Sequence, residues 1–141
     1  MSVFKWSKEH SVFLPEIDAE HRGLFRLGAE LHKAILAGEK AAQIKPVLVN
    51  LLEAAEEHFR HEERLMKVVH YAAFDWHKRQ HDGVRKRLKQ ALKGVEAGDT
   101  EPCAELIKFL NHWLTDHMAV TDRMMGAFIR NYLRFNTALA S

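Results

Sequence analysis

Along residues 17–37 of the chain, stepping alternately three and four positions lands on Ile17, His21, Leu24, Gly28, Leu31 and Ile35, the rhythm that keeps one helical stripe facing a bundle axis. The same rhythm runs through 43–69 as Leu48, Leu51, Ala55, His58, Glu62, Leu65 and Val69. It continues through 73–96 as Phe74, His77, His81, Val84, Leu88, Ala91 and Val95, and from 101 as Leu106, Leu110, Trp113, His117 and Val120. Four long helices are therefore expected, with a shorter fifth over about 122–137. Glycines at 38, 94 and 98 and prolines at 15, 46 and 102 gather near the proposed breaks, and Asp99 or Thr100 is placed to cap the fourth helix with Pro102 in its first turn. No period-two strand pattern, repeat or low-complexity tract interrupts this. Short connections make antiparallel neighbours, so the expected fold is all-α: an up-down four-helix bundle spanning about 17–121. A short C-terminal helix follows. Residues 1–16 form an irregular arm whose Phe4, Trp6 and Phe13 can pack on the bundle.

Composition changes this picture little. The chain has 141 residues, one domain's worth, and 47% of them are hydrophobic, enough for a packed core. Basic and acidic residues differ by only two and are mixed along the chain, so neither a nucleic-acid face nor a membrane-binding stripe is expected. MSVFKWSKEH lacks the apolar run of a signal peptide, and no segment approaches a membrane span. The single cysteine, Cys103, can form no internal disulfide, which fits a reducing compartment. A cytoplasmic protein is expected.

The anomaly is polar. Five of the ten histidines, together with Glu62, occupy core positions of the seams, whereas His10, His32, His61, His70 and His112 do not. A buried polar group without a partner costs about 1–3 kcal/mol, an unpaired carboxylate more. No Arg or Lys shares a seam with Glu62. A metal ion accepts neutral imidazole and carboxylate together and offsets that cost. In His58-x-x-x-Glu62 and His77-x-x-x-His81, residues four apart lie on nearly one line of the helix, so each pair can reach one centre. With His21 and His117 they form a six-residue metal-ligand set spread over four helices. His61 and Glu63, one step off the seam, are expected to face outward.

Asp-x-x-His in the first helix, HFxxEE in the second, HxxxH in the third and HxxxxD after the fourth resemble the hemerythrin family, particularly its bacterial members. The matching stretches are FKWS, IDAEHRGLF, HFRHEERLM, WHKRQH and FLNHWLTDHMAVTDR. The resemblance implies a single hemerythrin-like domain holding two iron ions (Fe2+/Fe3+) with an oxo or hydroxo bridge. His77, His81 and His117 would bind one iron and His21 and His58 the other, with Glu62 and Asp122 bridging. Asp122 is carried by the resemblance alone. It lies five residues beyond His117, about 140° around a regular helix, so the fourth helix must end, kink or bulge between them. The family pattern also places Leu24, Phe59, Trp113 and Leu114 around the ligand pocket.

Two roughly octahedral metals offer about twelve positions, of which five imidazoles and two bridging carboxylates fill about nine. A solvent-derived bridge takes two more and leaves one open, on the iron with two histidines. The resemblance implies reversible dioxygen binding there, for storage, delivery or sensing, with nitric oxide or small anions as further ligands. No seam Glu, Lys or free His remains as a proton donor for O–O cleavage, which favours oxygen binding over enzymatic work. The alternatives are a di-iron enzyme acting on peroxide or nitric oxide, or an oxygen or redox sensory module from a longer signalling protein. The oligomeric state is left open and is compatible with a monomer.

Overall fold

A computed structural model describes residues 4–140, with side chains to 136. Four helices, α1 (Pro15–Leu36), α2 (Ala41–Val68), α3 (Phe74–Glu96) and α4 (Glu101–Asp116), pack in a closed ring, each against its sequence neighbour and α4 back against α1. A π-helical segment, His117–Asp122, joins α4 to α5 (Arg123–Ala140). No helix among the described residues is long and apolar enough to cross a membrane.

Helix boundaries follow local chemistry. Pro15 is the first residue of α1, two positions before the expected start, because its fixed φ suits a helix entry. α2 also begins two residues early and encloses Pro46, whose lost hydrogen bond falls on an exposed turn. α1 and α3 end on Gly38 (φ 70°) and Gly98 (φ 82°), the left-handed residues that close a helix. His70 does the same after α2 at φ 55°. Asp99 accepts a bond from the Glu101 N–H (3.0 Å) at the start of α4.

The seams are buried largely as expected: Leu31, Leu48 and Ala91 are fully enclosed, as are His21, Glu62, His77 and His81. Val120 is the exception, 59% exposed. The π segment shifts the register after His117, turning Val120 outward and Thr121 and Asp122 inward. Along α2 the polar pair His58 and Glu62 separates the main apolar core, which includes Leu48, Leu51 and Ala55, from a smaller cluster of Met66, Val69, Met125 and Ile129. The polar residues are thus sealed from both ends of the bundle.

The arm is fastened at several places. Phe4 is buried with its ring on Gly28, where an added Cβ would stand 2.7 Å from the ring. Asp18, in the first turns of α1, accepts hydrogen bonds from Ser11 Oγ (2.6 Å) and the Val12 N–H (2.8 Å). The Val12 carbonyl receives Arg130 and lies against Gly126 of α5. Trp6 is half-buried, but Phe13 does not pack as expected: it is 61% exposed, with Arg123 and Arg130 over its ring.

A Cβ at Gly126 would meet the Val12 carbonyl oxygen at 2.7 Å, whereas nothing lies within 4 Å of one at Gly83. Gly83→Ala should therefore stabilise the protein by up to about 1 kcal/mol. Gly126→Ala should destabilise it by about 1–3 kcal/mol and speed proteolysis of the arm. Thermal melts and limited proteolysis read both, and equal stabilisation by the two substitutions would refute this account of the arm.

Candidate metal centre

All seven residues proposed as ligands meet at one place, toward the end of the bundle where α1 and α3 begin and α2 and α4 finish. α1 supplies His21, α2 His58 and Glu62, α3 His77 and His81, and the π segment His117 and Asp122. In a π segment hydrogen bonds close from i to i+5, so residues five apart share a face. That is the bulge the His117 to Asp122 spacing requires.

The two carboxylates divide their oxygens. Glu62 Oε1 faces His77 Nε2 (3.2 Å) and His81 Nε2 (3.0 Å), while its Oε2 faces His21 Nε2 (3.3 Å) and His58 Nε2 (3.1 Å). Asp122 Oδ1 faces His117 Nε2 (2.7 Å) and His77 Nε2 (3.1 Å), and its Oδ2 faces His21 Nε2 (3.1 Å). A three-histidine group and a two-histidine group therefore stand side by side, spanned by both carboxylates. Two sets, Glu62, His77, His81 and His117, and His21, His58, Glu62 and Asp122, each bring one donor atom per residue within 4.8 Å of the others, close enough to hold a cation.

Several of these contacts fail as hydrogen bonds. His81 Nε2, His117 Nε2 and Asp122 Oδ1 are buried with no hydrogen-bond partner among the described residues, although the last two are 2.7 Å apart. His21 and His58 turn Nε2 toward each other at 3.0 Å. Two donors bound about 2.1 Å from one octahedral ion, at right angles, lie about 3.0 Å apart. The spacing and donor set fit a pair of cations better than a self-contained hydrogen-bond network.

Sequence reasoning missed the next layer. His58 Nδ1 donates to Glu20 Oε1 (2.7 Å), His81 Nδ1 to Glu63 Oε2 (2.8 Å) and His117 Nδ1 to Gln80 Oε1 (2.7 Å). Each bond fixes the ring so that Nε2 points inward. Glu63 and His61, expected to face outward, are 13% and 20% exposed instead; His61 Nδ1 donates to Glu20 Oε2 (2.6 Å). The signal was adjacency: Glu20 precedes His21 and Glu63 follows Glu62, at positions that flank a helix contact.

Of the expected pocket residues, Phe59 stacks on His81 (centroids 4.3 Å, 18°) and Trp113 on His117 (4.1 Å, 14°). With Leu24 and Leu114 they line a small cavity closed on its other sides by Gly28, Leu51, Ala55, Val84, Leu88 and Leu110. Its volume open to the centre of a water-sized sphere is about 10 Å³. That is near the threshold for a single small occupant, and the walls offer water no polar partner.

Without metal, the cluster is electrostatically coupled. Burial opposes charge on Glu62, but His58, His21 and His77 hold its carboxyl well below the usual range. Burial and the Glu62 charge oppose ionisation of Asp122, and His117 and His21 outweigh them. Burial pushes the His58 imidazolium down, yet Glu62 and Glu20 raise it to about 10; His77, likewise buried, is raised to about 9 by Asp122 and Glu62. His117 is lowered, burial dominating.

His58 and His77 keep their protons at neutral pH in the metal-free protein, His21 is raised in the same sense, against its burial, by Asp122 and Glu62, and a cation must displace these protons. Loading near pH 7 should release about two to three protons per chain, and apparent affinity should climb as pH rises through the weakly alkaline range. Calorimetry of divalent-ion binding in buffers of different ionisation enthalpy reads the release; an affinity independent of pH would refute the coupling.

Comparison with known proteins agrees with this geometry. The Hemerythrin HHE cation binding domain family matches residues 12–129. The chain is 30% identical to a bacteriohemerythrin of Clostridium acetobutylicum over 86% of its own length and 97% of that protein. It is 33% identical to a myohemerythrin of Theromyzon tessulatum, over 84% and 88% of the two chains. Crystal structures of hemerythrin mutants superpose with a TM-score of 0.81 at 24% identity, covering 92% of this chain and 98% of theirs, which speaks to the fold.

Proposed function

The chain belongs to the hemerythrin family, and from that premise we propose that it binds dioxygen reversibly at a pair of iron ions held by His21, His58, Glu62, His77, His81, His117 and Asp122. The observation that carries this reading is the unequal split of donors across two shared carboxylates. Three imidazoles with Glu62 Oε1 and Asp122 Oδ1 make five donors on one side, and two imidazoles with Glu62 Oε2 and Asp122 Oδ2 make four on the other. After a bridging solvent oxygen, the two-histidine side keeps an open position. A reduced iron pair supplies, when bound, the two electrons that reversible dioxygen binding needs.

The remaining work belongs to the protein. Glu62 and Asp122 fix the spacing of the two groups, and Glu20, Glu63 and Gln80 hold three rings in the ligating tautomer. Leu24, Phe59, Trp113 and Leu114 exclude water on the apolar side. Every residue lining that cavity is apolar, so none can deliver a proton to a bound ligand, and this supports a carrier over an enzyme consuming peroxide or nitric oxide. Arm, bundle and α5 serve this one site as a single domain in a cytoplasmic protein.

Reduced with dithionite under argon, the iron-loaded protein should take up about one dioxygen per iron pair and return it under vacuum through repeated cycles. Immediate conversion to an oxidised form that releases no dioxygen, or sustained consumption of added peroxide or nitric oxide, would overturn the carrier reading.

A further inference from the structure

The three outward hydrogen bonds on the histidines end on unlike acceptors. His117 donates to a neutral amide, Gln80, and His58 to Glu20, which is shared with His61. His81 donates to Glu63, and there a guanidinium intervenes. Arg85 Nη1 donates to the same Glu63 Oε2 at 2.9 Å and Nη2 to Oε1 at 3.2 Å. Arg85 is itself anchored, giving Nε to Glu56 (2.7 Å) and Nη1 to Asp82 (2.8 Å), and it lies mostly buried, 15% exposed. Its guanidinium also stands over the Phe59 ring (5.2 Å), which is itself stacked on His81.

We propose that Arg85 is a positioning residue for the metal centre, which engages the Glu63 carboxylate at the oxygen receiving the His81 Nδ1 proton and thereby limits how strongly His81 donates to its metal. A carboxylate acceptor pulls on an imidazole N–H and makes the ring a stronger, more imidazolate-like donor, which favours the oxidised metal. An acceptor already holding a bidentate guanidinium has less electron density to offer. Arg85 thus brings the Glu63 side near the neutrality of Gln80 and holds the reduction potential of the pair up. The guanidinium also fixes the Glu63 rotamer and, through Phe59, the plane of His81. This rests on the metal-binding part of the reading above and not on dioxygen as the ligand.

The test is spectroelectrochemical titration of the iron-loaded protein, with iron content measured on each sample. Arg85→Gln should lower the potential so that, at a fixed applied potential, the reduced-to-oxidised ratio falls about tenfold, or about 59 mV for a one-electron step. Arg85→Lys, which keeps a charge but not the fork, should fall part of the way. Glu63→Gln combined with Arg85→Gln should return the potential to the wild-type value or above, because the uncompensated carboxylate is gone. Lys86→Gln, at the exposed next position of α3, should leave it unchanged. The proposal is overturned if Arg85→Gln retains its iron with an unaltered potential, if the double variant falls as far as the single one, or if Lys86→Gln shifts the potential equally. Should Arg85→Gln fail to hold iron, Arg85→Lys and the double variant decide by the same criteria. Wild-type protein without a redox-active metal pair would overturn both this proposal and the metal reading beneath it.

Discussion

Two carboxylates, Glu62 and Asp122, sit about 1% exposed or less in the interior of an apolar bundle, and the structure depends on how their charge is met. Desolvating one carboxylate costs several kcal/mol, and two at close range repel as well. Among the described residues no Arg or Lys side chain is bonded to either; five imidazoles surround them. Those rings can supply positive charge only by taking protons, and their donor spacing suits cations better. A pair of divalent ions would resolve both the repulsion and the desolvation, which would make metal binding and the stability of this end of the bundle one free energy.

Much of that was legible in the amino-acid order because burial is periodic. A histidine that falls on the three-four stride of Leu48, Leu51 and Ala55 will be inside wherever the stride goes, and His21, His58, Glu62, His77, His81 and His117 all lie on such strides. Asp122 was not on a stride, since the π segment that brings it in is a departure from helical period; only the likeness to a family pattern pointed to it. Val120 failed for the same reason, having been placed by a regular helical step inside the π segment.

The outer hydrogen bonds were opaque for a different reason. Glu20, Glu63 and Gln80 occupy flanking positions that a single helix leaves half exposed, and whether they meet a histidine depends on the rotation of the neighbouring helix. Phe13, apolar yet outside, shows the converse: its left-handed backbone (φ 60°) and the two arginines over its ring belong to the way the arm is tied to α5. Those outer contacts make the two halves of the centre chemically unlike. One half is fully surrounded by imidazole and carboxylate, with its outward acceptors neutral or neutralised. The other has fewer donors, two imidazoles and one oxygen from each carboxylate. Asymmetry of this kind would suit a small ligand that binds at only one of two metals held there.

The central claim is that Glu62 and Asp122 each span two metals. Anomalous diffraction from crystals of the iron-loaded protein, collected on both sides of the iron absorption edge, tests it directly. The account predicts two iron peaks per chain, with Glu62 Oε1 and Asp122 Oδ1 on the peak nearest His77, His81 and His117, and Glu62 Oε2 and Asp122 Oδ2 on the peak nearest His21 and His58. A single peak, or two peaks that share neither carboxylate, would contradict it.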